Sequence, residues 1–285
     1  MVPELRKKYN YEFSQKKYEE FIDDLNTAKA FPVDFRVSET PLFLSNELTQ
    51  KLIKAAEEIT NKLQTPDFKK KSEEAIPRGL SVPNEDDHPA FLQIDFAVCK
   101  TDEGYTPQLI ELQGFPSLYC FQVFLEERYR EHFSIPAILT TYFNGLNKAS
   151  YIKLLQEIVL KNNEPENVVL LEIEPDKQKT RIDFACTKDL IGIDSVDISA
   201  IIKKEKKLFY KRDGKEIQIK RIYNRVIYDE LQRKNVQFNF NFTDELDIEW
   251  AGHPNWFFKI SKHSLPLLKS SFVPHSYYLN KAAKY

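Results

Sequence analysis

The chain has 285 residues, of which 42% are apolar and 13% aromatic, and 41 Lys and Arg against 43 Asp and Glu leave a net charge of −2. That length fits one large domain or two medium ones, and the near-neutral balance excludes a nucleic-acid partner held by bulk charge, which needs a basic excess. No apolar run approaches the roughly 20 residues of a membrane span. The first residues carry no signal-like apolar core, and Cys99, Cys120 and Cys186 read as small core residues of a reducing compartment. The expectation is a cytoplasmic protein without a nucleic-acid or membrane partner, and nothing in the pattern sets an oligomeric state.

Tyr11, Tyr18, Phe21, Ile22 and Leu25 predict a helix over 9–26. Residues 35–44 read as extended chain broken at Pro41. Ser45 is placed to cap a helix whose stripe includes Leu48, Ala55, Ile59 and Leu63, a core-facing pattern. Residues 65–90 are polar and punctuated by proline, a loop with one short helical piece. Lys69, Lys70 and Lys71 read as a solvated run, and Arg78 as a surface cation that precedes the next strand.

That strand, Phe91–Cys99, alternates strictly. Leu92, Ile94, Phe96 and Val98 take one face, and Gln93, Asp95, Ala97 and Cys99 the other. A second strand, Gln108–Gln113, places Ile110 and Leu112 opposite Leu109, Glu111 and Gln113, with Gly104 in the polar loop between the strands. Paired as a hairpin, they collect Asp95, Glu111 and Gln113 on one face. An oxygen-only set of this kind suits Mg²⁺ or Mn²⁺, and an ion with few protein ligands commonly also holds substrate phosphates. The alternative is a solvated pair of surface charges. Neither GxGxxG nor GxxxxGK occurs among the seven glycines. Gly114, Phe115 and Pro116 then make a turn, Ser117 is placed to cap a helix to about His132, and helices are predicted over 136–147 and 151–161.

DFAVC at 95–99 and LIELQGFPSLY at 109–119 resemble the glutathionylspermidine synthase family, the circularly permuted branch of the ATP-grasp ligases. By that resemblance, the family's Mg²⁺-binding Asp, Glu and Asn fall on Asp95, Glu111 and Gln113. The arginine that supports the transferred phosphoryl group falls on Gln93, and Ser117 lies in the turn beside the substrate. The resemblance also implies ATP as co-substrate and a small-molecule carboxylate and amine as substrates. There are two departures: Gln113 is one methylene longer than the family residue, and Gln93 is uncharged, a loss that costs phosphoryl-transfer rate. Arg78 is a candidate replacement for that cation.

A second unit begins near residue 165. Asn167–Ile173 reads as a strand buried on both faces, followed by a helix over 178–190 that Gly192 stops and a strand at Ile193–Ile198. This βαβ unit should be right-handed. Asp213-Gly214 marks a hairpin within 208–220, residues 219–227 are extended, and 228–234 is helical. The unit resembles the Rossmann-like domain that accompanies the ATP-grasp lobe. Ligand candidates at its strand ends are Glu174, Asp176, Lys179, and above all Asn224 and Arg225, with Arg225 suited to a substrate carboxylate; the alternative pairs Arg225 with Asp229 or Glu230. Trp250, Trp256, Phe257 and Phe258 read as core, and His253 and His263 lack further zinc-ligand spacing. The family's nucleotide-clamping Lys strand and Gly-rich loop do not follow SSFVPHSYYL.

The expected class is therefore α/β, in the mixed α+β sense. Residues 1–160 form a helical and β-hairpin region carrying the metal-site strands, and residues 161–285 a Rossmann-like domain ending before the nucleotide lobe. The expected function is the N-terminal part of an ATP- and Mg²⁺-dependent carboxylate–amine ligase. Alternatives are a catalytically inactive binding or scaffold protein and a metal-dependent hydrolase using the same carboxylates.

Overall fold

The structure, a computed structural model, describes residues 2–102 and 104–279. Two helices, α1 (Pro3–Glu12) and α2 (Gln15–Thr27), replace the single helix predicted over 9–26. The break falls at Ser14, whose extended backbone and side-chain acceptor for Lys17 N make it a new N-cap; Tyr11 is left exposed. Helix α3 (Asn46–Leu63) forms as predicted, with Ser45 accepting from Leu48 N and Leu48, Ala55, Ile59 and Leu63 buried. Helix α4 (Pro66–Ser72) is the short helical piece of the following loop.

Strands β1 (Gln93–Thr101) and β2 (Gly104–Gln113) pair antiparallel and extend further toward the turn than expected. Helix α5 (Tyr119–His132) follows. The predicted helix over 136–147 is absent. There the Thr140 hydroxyl accepts from Tyr142 N, Asn144 and Gly145 take left-handed φ values of 54° and 74°, and Asn147 instead opens α6 (Lys148–Leu160) in a reciprocal cap with Ser150.

Next come β3 (Val168–Glu172), α7 (Arg181–Ile191) and β4 (Asp194–Asp197), with Gly192 in left-handed backbone ending the helix. A small antiparallel sheet is made by β5 (Ile202–Lys204), β6 (Lys207–Arg212) and β7 (Lys215–Ile219), with Asp213 and Gly214 both at positive φ in its two-residue turn. The extended stretch 219–227 changes sheets at Lys220, so β8 (Arg221–Asn224) joins β3 in parallel. Helix α8 (Tyr228–Lys234), strand β9 (Glu249–Ala251) and helix α9 (Pro254–Lys259) complete the elements used below.

The parallel sheet has the order β4-β3-β8-β9, so the chain reverses its direction of winding between β3 and β8, where open α/β sheets form ligand crevices at the carboxyl ends. Helices α2, α5 and α7 bury Phe21, Phe121 and Ile182 in a core with Leu170 and Tyr223, and this core draws on both sides of residue 160. The opposite sheet face packs Leu171 and Ile222 on Leu208, Phe242 and Trp250. A third cluster seats the β1–β2 hairpin: Leu109 and Leu112 lie on Ile59, Leu63, Trp256 and Ile260. Cys120 and Cys186 are buried and free, and burial pushes both thiols up; Cys99 is only half-buried. Among the described residues no helix is long and apolar enough to cross a membrane.

Candidate functional site

The hairpin register aligns Gln93 with Gln113 and Asp95 with Glu111. Successive side chains alternate across a strand, so these four residues share one face at the open end of the hairpin. The opposite face, through Leu109 and Leu112, is core. One detail corrects the strict alternation expected of β2. The register shifts between Asp95 and Phe96, leaving Ile110 without a partner. This bulge turns Ile110 outward, 54% exposed, and puts Leu109, at 3%, on the same buried side as Leu112. The bulge leaves Glu111 opposite Asp95.

Asp95 is exposed, and Glu111 and Gln113 are half-buried. Gln93 Nε2 donates to Ser117 O at 3.3 Å, while Gln93 Oε1 is buried with no hydrogen-bond partner among the described residues. Lys262 Nζ lies 3.9 Å from Glu111 Oε2, a cation on this face that sequence reasoning passed over, because 151 positions separate it from Glu111. Two carboxylates and two side-chain amides on one face offer the hard oxygen donor types that magnesium takes. Among the described residues no three or more His, Cys, Asp or Glu side chains gather as a metal site, so any ion held here depends on Asp95, Glu111 and amide oxygen.

The turn after β2 is locked onto the rest of the molecule. Gly114 N donates to Ile260 O at 3.1 Å, and a Cβ on Gly114 would meet Trp256 O at 2.7 Å. Gly252, at φ +86°, brings the exit of β9 against Pro116, whose Cδ would lie 3.1 Å from an added Cβ. Ser117 does not cap α5. The N-cap is Leu118 in left-handed backbone without a side-chain cap. Asp183 of α7 takes over the capping: its Oδ1 accepts from Cys120 N at 3.1 Å and from Phe121 N at 2.8 Å. Ser117 meets the site through its carbonyl.

Asn224 and Arg225 do stand at the carboxyl end of β8, and both are buried. Asn224 Oδ1 accepts from Val226 N. Arg225 pairs with neither Asp229 nor Glu230, but donates to Asp183 Oδ2 at 3.0 Å. Its guanidinium also lies 5.9 Å from the ring centroid of Phe115 in the hairpin turn. Burial pushes the Asp183 carboxyl up, against the pull of Arg225 and the two backbone N–H groups. Beside them at the end of β3, Glu172 is buried, and desolvation pushes its carboxyl up to about 7 despite the N–H of Ile173 and the nearby Arg225.

Arg78 is exposed on the turn that follows Pro77; no hydrogen bond or ion pair joins it to the hairpin face among the described residues, and its neighbours Gly79 and Leu80 line an apolar cavity. Two of the remaining strand-end candidates lie on the surface: Glu174 pairs with Lys177 and Lys234, and Asp176 is exposed. Another buried cation was not foreseen. Lys259 donates to Glu73 at 2.5 Å and Glu85 at 2.6 Å and sits 4.5 Å from the Trp256 ring centroid. Together with Asn255, which bonds both polar backbone groups of Val82, it staples the 73–85 loop to α9. His253 accepts from Asn255 N through Nδ1 and donates from Nε2 to Pro83 O, a structural role that leaves neither ring nitrogen for zinc.

No family model matches the chain, and no curated protein matches it in sequence. Among solved structures, a glutathione synthetase-like effector from Globodera pallida in its apo form is similar, at a TM-score of 0.58 and 12% identity, over 90% of this chain. The match covers 65% of that protein, so this chain spans about two thirds of its length. The likeness shows that the chain has a mixed α/β fold similar to that of this protein.

Proposed function

We propose that this chain carries the metal-strand and Rossmann-like portion of an ATP-grasp-type carboxylate–amine ligase. The observation that carries the reading is the alignment of Asp95 with Glu111, with Gln113 next on the same face. The fold likeness to a glutathione synthetase-like protein supports it. In the reaction, a substrate carboxylate oxygen attacks the terminal phosphorus of ATP, giving an acyl phosphate and ADP. The amine then attacks the acyl carbon, forming the amide and releasing phosphate and a proton. Asp95, Glu111 and Gln113 would hold Mg²⁺, which supplies charge neutralisation of the ATP phosphates. Gln93 orients the turn through Ser117 O but brings no charge. Lys262, at 72% side-chain exposure, is the cation this face offers in its place, ahead of Arg78.

A second reading, a binding protein that keeps the fold without catalysis, is favoured by the uncharged Gln93 and by the commitment of Arg225 to Asp183. ATP titrations of the native protein with and without Mg²⁺ separate the two. The ligase reading expects Mg²⁺-dependent ATP binding that Asp95→Ala with Glu111→Ala abolishes while the melting temperature holds. ATP binding that ignores Mg²⁺ and the double variant, or no ATP binding at all, overturns it.

A further inference from the structure

A cluster of half-buried aromatic side chains lies away from the hairpin face. A cavity of about 240 Å³ opens where β8 and β9 end: Val226 follows β8, and Pro254 follows β9. Tyr228, Phe238, Phe257 and Phe258 line it, and all four rings are only half-buried. Tyr228 stands edge-on to Phe258 at 6.2 Å, and Phe258 edge-on to Phe257 at 5.2 Å. Val82 and Leu231 add aliphatic walls. A packed core closes such space, and an apolar cavity near 150 Å³ already accepts a benzene ring.

The polar groups of the lining are few. The Tyr228 phenol and the Thr243 hydroxyl have no hydrogen-bond partner among the described residues, and Thr243 is exposed at the mouth. A mostly apolar pocket with a few convergent polar groups is the usual form of a small-molecule site. Its place, beyond the carboxyl ends of parallel strands, is where open α/β sheets take ligands. We propose that this cavity binds a planar aromatic group of a small molecule, of phenyl to indole size and bearing a hydrogen-bonding substituent. The edges of Phe257 and Phe258 grip the ring, and Tyr228 and Thr243 meet the substituent. This site does not depend on the ligase reading.

The test uses the full chain with phenol, indole and cyclohexanol as probes, followed by saturation-transfer NMR and by shifts of the Phe ring protons. Phenol and indole should bind saturably, with transfer from the Phe257 and Phe258 rings, and cyclohexanol on the order of tenfold more weakly, as for the loss of ring contacts. Thr243→Trp fills the cavity from its exposed rim and should weaken phenol on the order of tenfold at an unchanged melting temperature. Tyr228→Phe should weaken phenol more than indole. Probe binding that is absent, that does not transfer from those rings in the wild-type chain, or that favours cyclohexanol equally overturns the proposal; so does a folded Thr243→Trp chain that binds phenol as the wild type does.

Discussion

Arg225 at the end of β8 and Asp183 on α7 form a buried ion pair at 3.0 Å, with side chains 4% and 0% exposed. Asp183 has two tasks, since its other oxygen caps α5 through Cys120 N and Phe121 N. Arg225 also lies near the Phe115 ring, so one pair joins the sheet's end, the start of α5 and the turn that follows β2. Removing one partner of a buried pair leaves the other charge uncompensated, which costs about 3–5 kcal/mol. Arg225→Gln should therefore lower unfolding free energy by about that amount in denaturant titration. Asp183→Ala should cost at least as much, because the helix cap goes with it.

Glu172 gives the fold a pH dependence. Burial holds its carboxyl at about 7 in the folded state, against an ordinary 4.5. The folded protein thus keeps a proton that the unfolded chain has released, and the contribution is fully present below about pH 4.5 and lost as pH rises through 7. Glu172→Gln should remove that loss, making the variant more stable than wild type at pH 8 by about 3 kcal/mol and nearly equal to it at pH 4.5. Urea unfolding at the two pH values measures the difference. Equal differences at both would show that Glu172 titrates normally.

His253 acts in the opposite direction. Its burial lowers the imidazole below its usual 6.5, with Nε2–H bound to Pro83 O and Nδ1 capping α9. As pH falls below 6.5 the unfolded chain takes a proton that the folded one resists, so stability declines. His253→Asn keeps an N-cap acceptor but does not titrate. Its unfolding free energy should drop less than that of wild type between pH 7 and pH 5.

Local periodicity made much of this legible. The period-2 run of β1, the unbroken apolar run of β3, the stripe and Ser45 cap of α3, the Gly192 stop and the Asp213-Gly214 turn each declare themselves within a few residues. The shared face of Asp95 and Glu111 followed from the same alternation. The Ile110 bulge did not, because one inserted residue leaves no composition signal and is decided by which of Leu109 and Ile110 the core of Ile59 and Trp256 accepts. Pro136 looked like a helix opener, but Asn144 and Gly145 favour left-handed backbone and end any such helix. The commitments of Arg225, Lys259 and Lys262 to acids 42, 186 and 151 positions away are tertiary and have no local trace.

Gly114 is where backbone meets backbone. A methyl there would stand 2.7 Å from Trp256 O and 2.9 Å from Ile260 Cβ, and the turn is held by Gly114 N on Ile260 O. Overpacking against a fixed carbonyl costs about 3 kcal/mol. Gly114→Ala should lose about that in unfolding free energy and shift Gln113 relative to Asp95. By contrast, Gly145→Ala meets no atom within 4 Å, and its strain is limited to its φ of +74°, so it should cost only about 1 kcal/mol.

The hairpin face makes a prediction of opposite sign for stability and binding. Asp95 and Glu111 are directly opposed across β1 and β2, and like charges in that position repel. Lys262, at 3.9 Å, offsets this for Glu111. Without divalent cations, Asp95→Asn should relieve the repulsion and raise the melting temperature by about 1 °C. With Mg²⁺ and ATP added, the order should reverse: wild type gains stability by mass action as the ligand binds the folded state, and Asp95→Asn gains little. Thermal melts of both chains with EDTA, with Mg²⁺, and with Mg²⁺ and ATP give the full comparison. A site held for metal keeps two facing carboxylates at a cost to the empty protein, so the crossover distinguishes it from a solvated charge pair, for which Asp95→Asn would stay the more stable chain in all three conditions.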